Sequence, residues 1–154
     1  MAVEITELSD VYDADLRALL VAENWRTLAE GLIDARYRPY ERLYVALRAG
    51  TVVGFAEGTF HDGAEFGSGE YPPPRARVMS LLVSSQARRE GVGTALVRRF
   101  ASDAQAAGLD ALVLYPEPRD AAARLAFFTR CGLSKVAAGE LFGARLGAVL
   151  ASTA

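Results

Sequence analysis

The sequence predicts a single α/β domain spanning residues 1–154, with a mixed central sheet of about seven strands flanked by about four helices. Three observations predict it. Apolar residues alternate, or run unbroken, in short segments of strand length, and recur at helical spacing in longer ones. The order of those segments is β-α-α-β-β-β-α-β-α-β-β, hairpins first and helix crossovers later. The irregular stretch 61–74 is the one place a boundary could fall, and either piece would be too small for its own core.

Ala2 to Leu8 sets Val3, Ile5 and Thr6 among acids and reads as the first strand. Ser9 or Asp10 caps a helix carrying Leu16, Leu19, Leu20 and Glu23 at helical spacing. A second helical stretch runs from about Thr27 to Tyr37, where Arg38-Pro39 ends it. Leu43 to Leu47 and Val52 to Phe60 form a hairpin around Arg48-Ala49-Gly50. Residues 61–74 form a long Gly- and Pro-rich loop, of the kind that often serves function. Val78 to Val83 is a strand buried on both faces. Val92, Leu96, Phe100 and Ala104 line one side of a helix that stops at Gly108. Ala111 to Tyr115 is a strand, Arg119 to Cys131 a helix, and Ser134 to Ala138 and Leu141 to Leu146 are the last two strands.

Composition narrows the function classes. Hydrophobic residues make up 51% and charged residues 23%, which excludes disordered and fibrous chains. The longest apolar runs, such as Ala18 to Ala22, are too short to span a bilayer. The N-terminal residues lack a signal-peptide pattern and Cys131 is the sole cysteine, so a cytoplasmic protein without an internal disulfide is expected. One cysteine and one histidine, His61, supply too few ligands for zinc, and no metal is expected. Residues 1–74 carry 13 acids and 6 bases, whereas residues 75–154 carry 6 acids and 11 bases. The second half therefore suits a phosphate-bearing ligand and the first a cationic one. Lys135 is the only lysine and no basic run with interleaved aromatics occurs, so nucleic-acid binding is not expected.

The stretch that carries chemistry runs from Val78 to Leu96, a buried strand, a short loop and the start of a helix. The loop reads Arg88-Arg89-Glu90-Gly91-Val92-Gly93. Glycines let a backbone approach a ligand closely. The first amides of a helix lack internal partners, and its dipole favours an anion there. Together they make a pyrophosphate cradle, to which Arg88 and Arg89 add charge. No Gly-Lys-Ser/Thr follows, so it is not a P-loop, and the Gly-x-Gly-x-x-Gly dinucleotide spacing is absent.

Leu81 to Leu96 resembles motif A of the GNAT acyltransferase superfamily, whose signature Gln/Arg-x-x-Gly-x-Gly/Ala falls on Arg88, Gly91 and Gly93. Phe127-Phe128-Thr129-Arg130-Cys131-Gly132-Leu133 resembles the family's second landmark, an aromatic pair followed by the glycine that ends a helix. The resemblance implies an N-acetyltransferase that moves an acetyl group from acetyl-CoA to a primary amine by direct attack in a ternary complex. It implies that the fourth and fifth strands splay apart around the pantetheine arm, with Leu81, Leu82 and Val83 offering backbone groups to it. Arg88, Arg89, Glu90, Gly91, Val92, Gly93 and Thr94 would hold the pyrophosphate. The acceptor would be a small-molecule or peptide amine, and the family admits a homodimer. A non-catalytic acyl-CoA-binding module on the same fold is the alternative.

The sequence departs from the family at the catalytic pair. The tyrosine that commonly protonates the leaving thiolate is replaced by Phe128, which has no proton to give. Tyr115, at the end of the fifth strand, is the substitute. The carboxylate common on the fourth strand is absent near Arg77, Met79 and Ser80. Glu57 is the candidate base, at strand parity with Val53 and Phe55, and burial would raise its pKa usefully. Glu117 and His61 are further candidates, and Ala121 beside Asp120 stands where the family often has a cofactor-contacting asparagine. Trp25, Tyr37, Tyr40, Phe66 and Tyr71 are candidates to line the acceptor side, with Glu23, Glu30 and Asp34 attracting a cationic amine.

Overall fold

The computed structural model describes residues 3–25, 31, 33–34, 38–62, 71–116, 121–136 and 141–154. The strands are β1 (Glu4–Glu7), β2 (Glu41–Arg48), β3 (Thr51–Asp62), β4 (Arg75–Val83), β5 (Ala111–Leu114), β6 (Ser134–Lys135) and β7 (Phe142–Arg145). They form one sheet in the order β1-β2-β3-β4-β5-β7-β6. The helices are α1 (Asp13–Ala22), preceded by a 3-10 turn at Asp10–Tyr12, then α2 (Val92–Ala106), α3 (Ala121–Arg130) and α4 (Leu146–Ser152). The mixed seven-stranded sheet with flanking helices is the fold class expected from the sequence.

All neighbouring strands pair antiparallel except β4 and β5, which run parallel. That exception follows from chain order, since the helical crossover through α2 returns the chain to the same end of the sheet. β2 and β3 are joined by a two-residue turn at Ala49 and Gly50, with φ of 51° and 79°. Positive φ at both positions matches the twist of the flanking strands.

The sheet buries both faces. Leu96, Phe100, Phe128, Leu146 and Val149 pack with Tyr44, Ala56, Val78 and Leu81 on one side. Leu16, Leu20 and Trp25 pack with Leu43, Val45, Phe55 and Leu82 on the other. Each such large apolar side chain contributes about 1.5–3 kcal/mol when fully buried. The sole cysteine, Cys131, is buried in the first cluster, which pushes its thiol up to about 11.

Two irregularities steer side chains. Ala46 pairs with Gly54 but Leu47 with Val52, which leaves Val53 as an extra residue on β3. Val53 therefore joins the first core cluster, whereas Val52 and Phe55 join the second. Further along, Glu57 pairs with Ser80 but Gly58 with Val78, which leaves Met79 as the extra residue on β4. A bulge of this kind bends its strand and re-aims side chains. Gly58 makes the bulge possible, since a Cβ there would collide with the Arg77 carbonyl and the Phe100 ring.

Several expectations shift. Leu141 to Leu146 is not one strand, because Leu146 begins α4, a helix the sequence reading did not anticipate. β4 starts at Arg75, earlier than the apolar run suggested, because Arg75 is buried and donates to the Tyr71 carbonyl. The sixth strand stops at Lys135. Most of the expected helix at 27–37 and most of the loop at 61–74 lie outside the described residues, as do Glu30, Tyr37, Phe66, Glu117 and Asp120.

Candidate active site

β4 and β5 are paired only at Ala76 with Leu112 and Arg77 with Val113 among the described residues. Beyond that point β4 continues to Val83, whereas β5 ends at Leu114. The two strands part where Met79 bulges out, and a narrow cleft opens between them. Val78 to Leu81 form one wall, Leu114 and Tyr115 the other, and Arg124 and Phe128 of α3 close one side with Trp25 beside them.

The far end of β4 leads to the Gly-rich turn. Arg89 and Gly91 have φ of 68° and 81°, and Gly91 is the N-cap of α2. Ala95 donates to the Gly91 carbonyl, so the amides from Gly91 to Thr94 lie ahead of the first helical bond. A Cβ built on Gly91 would meet no atom within 4 Å, so the surface above this turn is open. Gly93 serves a different purpose. A Cβ there would come within 3.1 Å of the Phe127 ring and 3.6 Å of Val83, so this glycine lets α3 pack against the turn. The two landmarks of the sequence meet at that contact.

Arg88 lies back along the turn. Its Nε donates to the Val83 carbonyl at 3.3 Å, and its Nη2 pairs with Glu23 at 3.1 Å. The same Glu23 carboxylate accepts from the Ser85 amide at 3.2 Å and the Ser85 hydroxyl at 3.1 Å. Glu23, expected to attract a cation, is instead the clamp that joins α1 to the turn. Glu90 accepts from Arg48 at 2.7 Å, which ties the turn to the β2–β3 hairpin. Both pairs are partly exposed, so they position the turn more than they stabilise the fold.

Glu57 is 7% exposed and lies on the face of Phe55, Leu43 and Leu82. It does not share a face with Val53, because the extra residue at Val53 breaks the alternation on which the sequence reading relied. Burial raises the Glu57 carboxyl above the ordinary carboxylate range, opposed by a hydrogen bond from Ser80 and by the nearby Arg38 and Arg77 charges. Ser80 also lines the cleft. The carboxyl therefore communicates with the cleft through a hydroxyl.

Tyr115 is 39% exposed and stands across the cleft from Met79 and Ser80, with the Arg77 guanidinium 5.3 Å from its ring. Phe128 is buried at the cleft and puts no polar atom there. Arg124, which the sequence reading did not single out, reaches from α3 to β4, where its Nη1 donates to the Leu81 carbonyl at 3.1 Å. Its guanidinium sits 5.7 Å from the Trp25 ring. The available signal was its place one turn before Phe128, which puts both on one helix face.

Among the proposed acceptor-side aromatics, Trp25 lines the cleft. Tyr40 is exposed and stacks on His61 at 4.6 Å. Tyr71 packs elsewhere, against Val113, Val136 and Leu141 with Arg145 over its ring. Asp34 is exposed, and among the described residues no cluster of His, Cys, Asp and Glu could hold a metal.

The model of the acetyltransferase (GNAT) family matches residues 6–133. The chain belongs to the GNAT acetyltransferase family. Solved structures agree on the fold. A GNAT-family acetyltransferase from Staphylococcus aureus Mu50 superposes with a TM-score of 0.74 at 11% identity, covering 94% of this chain and 99% of that one. The PaiA N-acetyltransferase of Thermoplasma acidophilum, solved in complex with coenzyme A, has a TM-score of 0.70 at 14% identity, covering 94% and 99%. An aminoglycoside acetyltransferase from an uncultured soil metagenomic sample has a TM-score of 0.69 at 18% identity, covering 90% and 96%. No curated protein matches the chain by sequence. The open turn at Gly91 follows β4 in the chain, past the stretch where β4 parts from β5.

Proposed function

We propose that this GNAT protein is an N-acetyltransferase that transfers the acetyl group of acetyl-CoA to a primary amine by direct attack in a ternary complex. The observation that carries the reading is the parting of β4 from β5 after Arg77, next to a helix start whose Gly91 is open above. The residues present fit the donor. The amides from Gly91 to Thr94, with Arg88, Arg89 and Glu90 shaping the turn, suit a diphosphate. The backbone of Leu81, Leu82 and Val83 suits the amides of the pantetheine arm.

When bound, acetyl-CoA supplies an acyl carbon activated as a thioester. The remaining tasks fall to the chain. Glu57 accepts, through the Ser80 hydroxyl, the proton that the amine loses as its new C–N bond forms. As the C–S bond breaks, its electron pair stays on sulfur, and Tyr115 returns a proton there. Trp25 and Phe128 narrow the cleft and exclude water, which strengthens the electrostatics inside. Cys131 is buried with its thiol held protonated at neutral pH, which argues against an acyl-cysteine route.

The acceptor is a small-molecule or peptide amine, and a cytoplasmic location and a homodimer are part of the same reading. No described helix is long and apolar enough to cross a membrane. A second reading, a non-catalytic acyl-CoA-binding module, is favoured by Phe128 standing where a proton donor is usual.

Calorimetry with acetyl-CoA on wild type and Gly91→Glu tests the reading, followed by CoA release with a panel of amines. Binding abolished by the substitution, with release for at least one amine, supports the enzyme. Binding without release from any amine supports the second reading. A folded wild type that does not bind acetyl-CoA sinks both.

A further inference from the structure

We propose that Arg124 carries the negative charge of the departing CoA thiolate, taking over the electrostatic part of the task for which Phe128 is unsuited. The inference rests on the acyl-transfer reading of the cleft. Arg124 and Phe128 lie one turn apart on α3, and both line the space between β4 and β5. The arginine donates to the Leu81 carbonyl at 3.1 Å and lies 5.7 Å from the Trp25 ring, contacts that hold it in place. A fixed cation needs no reorganisation when charge develops beside it, which is the condition under which such a group is most effective.

The surroundings favour the same assignment. Among the described residues that line the cleft, Arg124 is the one that carries a formal charge. Tyr115 lies across the cleft with the Arg77 guanidinium 5.3 Å from its ring, and Glu57 lies behind Ser80. Val78, Leu81, Leu114 and Phe128 supply apolar surface around it. An ion pair formed there is screened less than one in open solvent.

In the step itself the C–S bond breaks and its electron pair remains on sulfur. Arg124 stays protonated throughout, as an arginine does in proteins. The amine's proton has gone to Glu57, so neither a proton nor an electron is left unassigned. Tyr115 then protonates a thiolate that is already stabilised, which relaxes the timing required of it.

The test reads the thiol directly and needs no acceptor amine. The ionisation of CoA bound to the protein is followed by the ultraviolet absorbance of the thiolate, with the desulfo-CoA complex subtracted as background. In wild type the bound thiol titrates at least about one pKa unit below free CoA in the same buffer. In Arg124→Met that depression disappears, while Arg124→Lys keeps part of it. Desulfo-CoA binds wild type and Arg124→Met within about threefold of each other, since it has no thiol to sense the charge. Thermal melts verify that each variant is folded, and Arg124→Gln, which also lacks the charge, serves if Arg124→Met is not. An equal thiol pKa in wild type and a folded Arg124→Met or Arg124→Gln overturns the inference and leaves the transferase reading intact. Failure of the wild type to bind CoA overturns both.

Discussion

The carboxyl of Glu57 on β3 accepts a hydrogen bond from Ser80, its register partner on β4, and Ser80 alone of the two lines the cleft. If this pair moves the amine's proton, the rate rises with pH through an apparent pKa above the usual carboxylate range, because burial raises Glu57. Glu57→Gln lowers kcat/KM by about 10²–10⁴-fold and removes that limb, while acetyl-CoA affinity stays the same. Ser80→Ala removes a hydrogen bond that favours the ionised form, so the limb moves to higher pH. A pH–rate profile for the three proteins, with any amine that supports turnover, checks this.

The same shift makes a prediction about stability. A carboxyl whose folded pKa is raised binds its proton more tightly in the native state. Its contribution is complete below the unfolded pKa and is lost as pH rises through the folded value. Wild type therefore loses melting temperature across that window, and Glu41, also raised chiefly by burial, adds to the loss. Glu57→Gln cannot ionise and shows a flatter curve, melting about 2–4 °C above wild type at pH 8. Calorimetric scans at pH 4 and pH 8 decide it; a constant gap between the two proteins would count against a titrating Glu57.

Phe128→Tyr introduces a hydroxyl at a buried position that lines the cleft. With Arg124 present the gain in kcat is modest, less than about tenfold. In the Arg124→Met background the same change recovers a larger share of the lost rate, because both groups act on the same sulfur. A double-mutant cycle on kcat measures the coupling, and strict additivity would separate the two roles.

Gly93→Val places methyl groups where the Phe127 ring now lies 3.1 Å from a Cβ position. Overpacking of this sort costs about 1–3 kcal/mol. Urea unfolding should show that loss in the single variant and recover most of it in Gly93→Val with Phe127→Ala. Gly91→Ala faces no such neighbour but a φ of 81°, so its cost is one of backbone strain and Phe127→Ala does not relieve it.

The seven strands and the α2 turn were legible because each is a local signal: alternation, an apolar run, or glycines at a helix start. The α4 helix was not, since Leu146–Ser152 is only seven residues long and follows β7 without a break. At the site, the turn from Arg88 to Thr94 could be read as a unit because its parts are neighbours in sequence. The burial of Glu57 could be guessed, but not its face, which depends on one extra residue at Val53. Arg124 was invisible for a related reason: its partners, Leu81 and Trp25, lie 43 and 99 positions away along the chain. Tyr71 misled as an aromatic in a promising loop, since β7 claims it for packing, with Gly143 leaving room for its ring.

The half of β4 that β5 does not reach is an edge in the middle of a sheet. Edges of that kind invite another extended chain, and folded proteins ordinarily blunt or cover them. Here one arginine from α3 reaches it, and the turn at Gly91 lies just past its end. A ligand arm laid along this edge would serve as a borrowed strand, completing a sheet that the polypeptide leaves incomplete. The donor would then act as a structural complement as well as a reactant, raising resistance to heat and to self-association in proportion to the logarithm of its concentration above Kd.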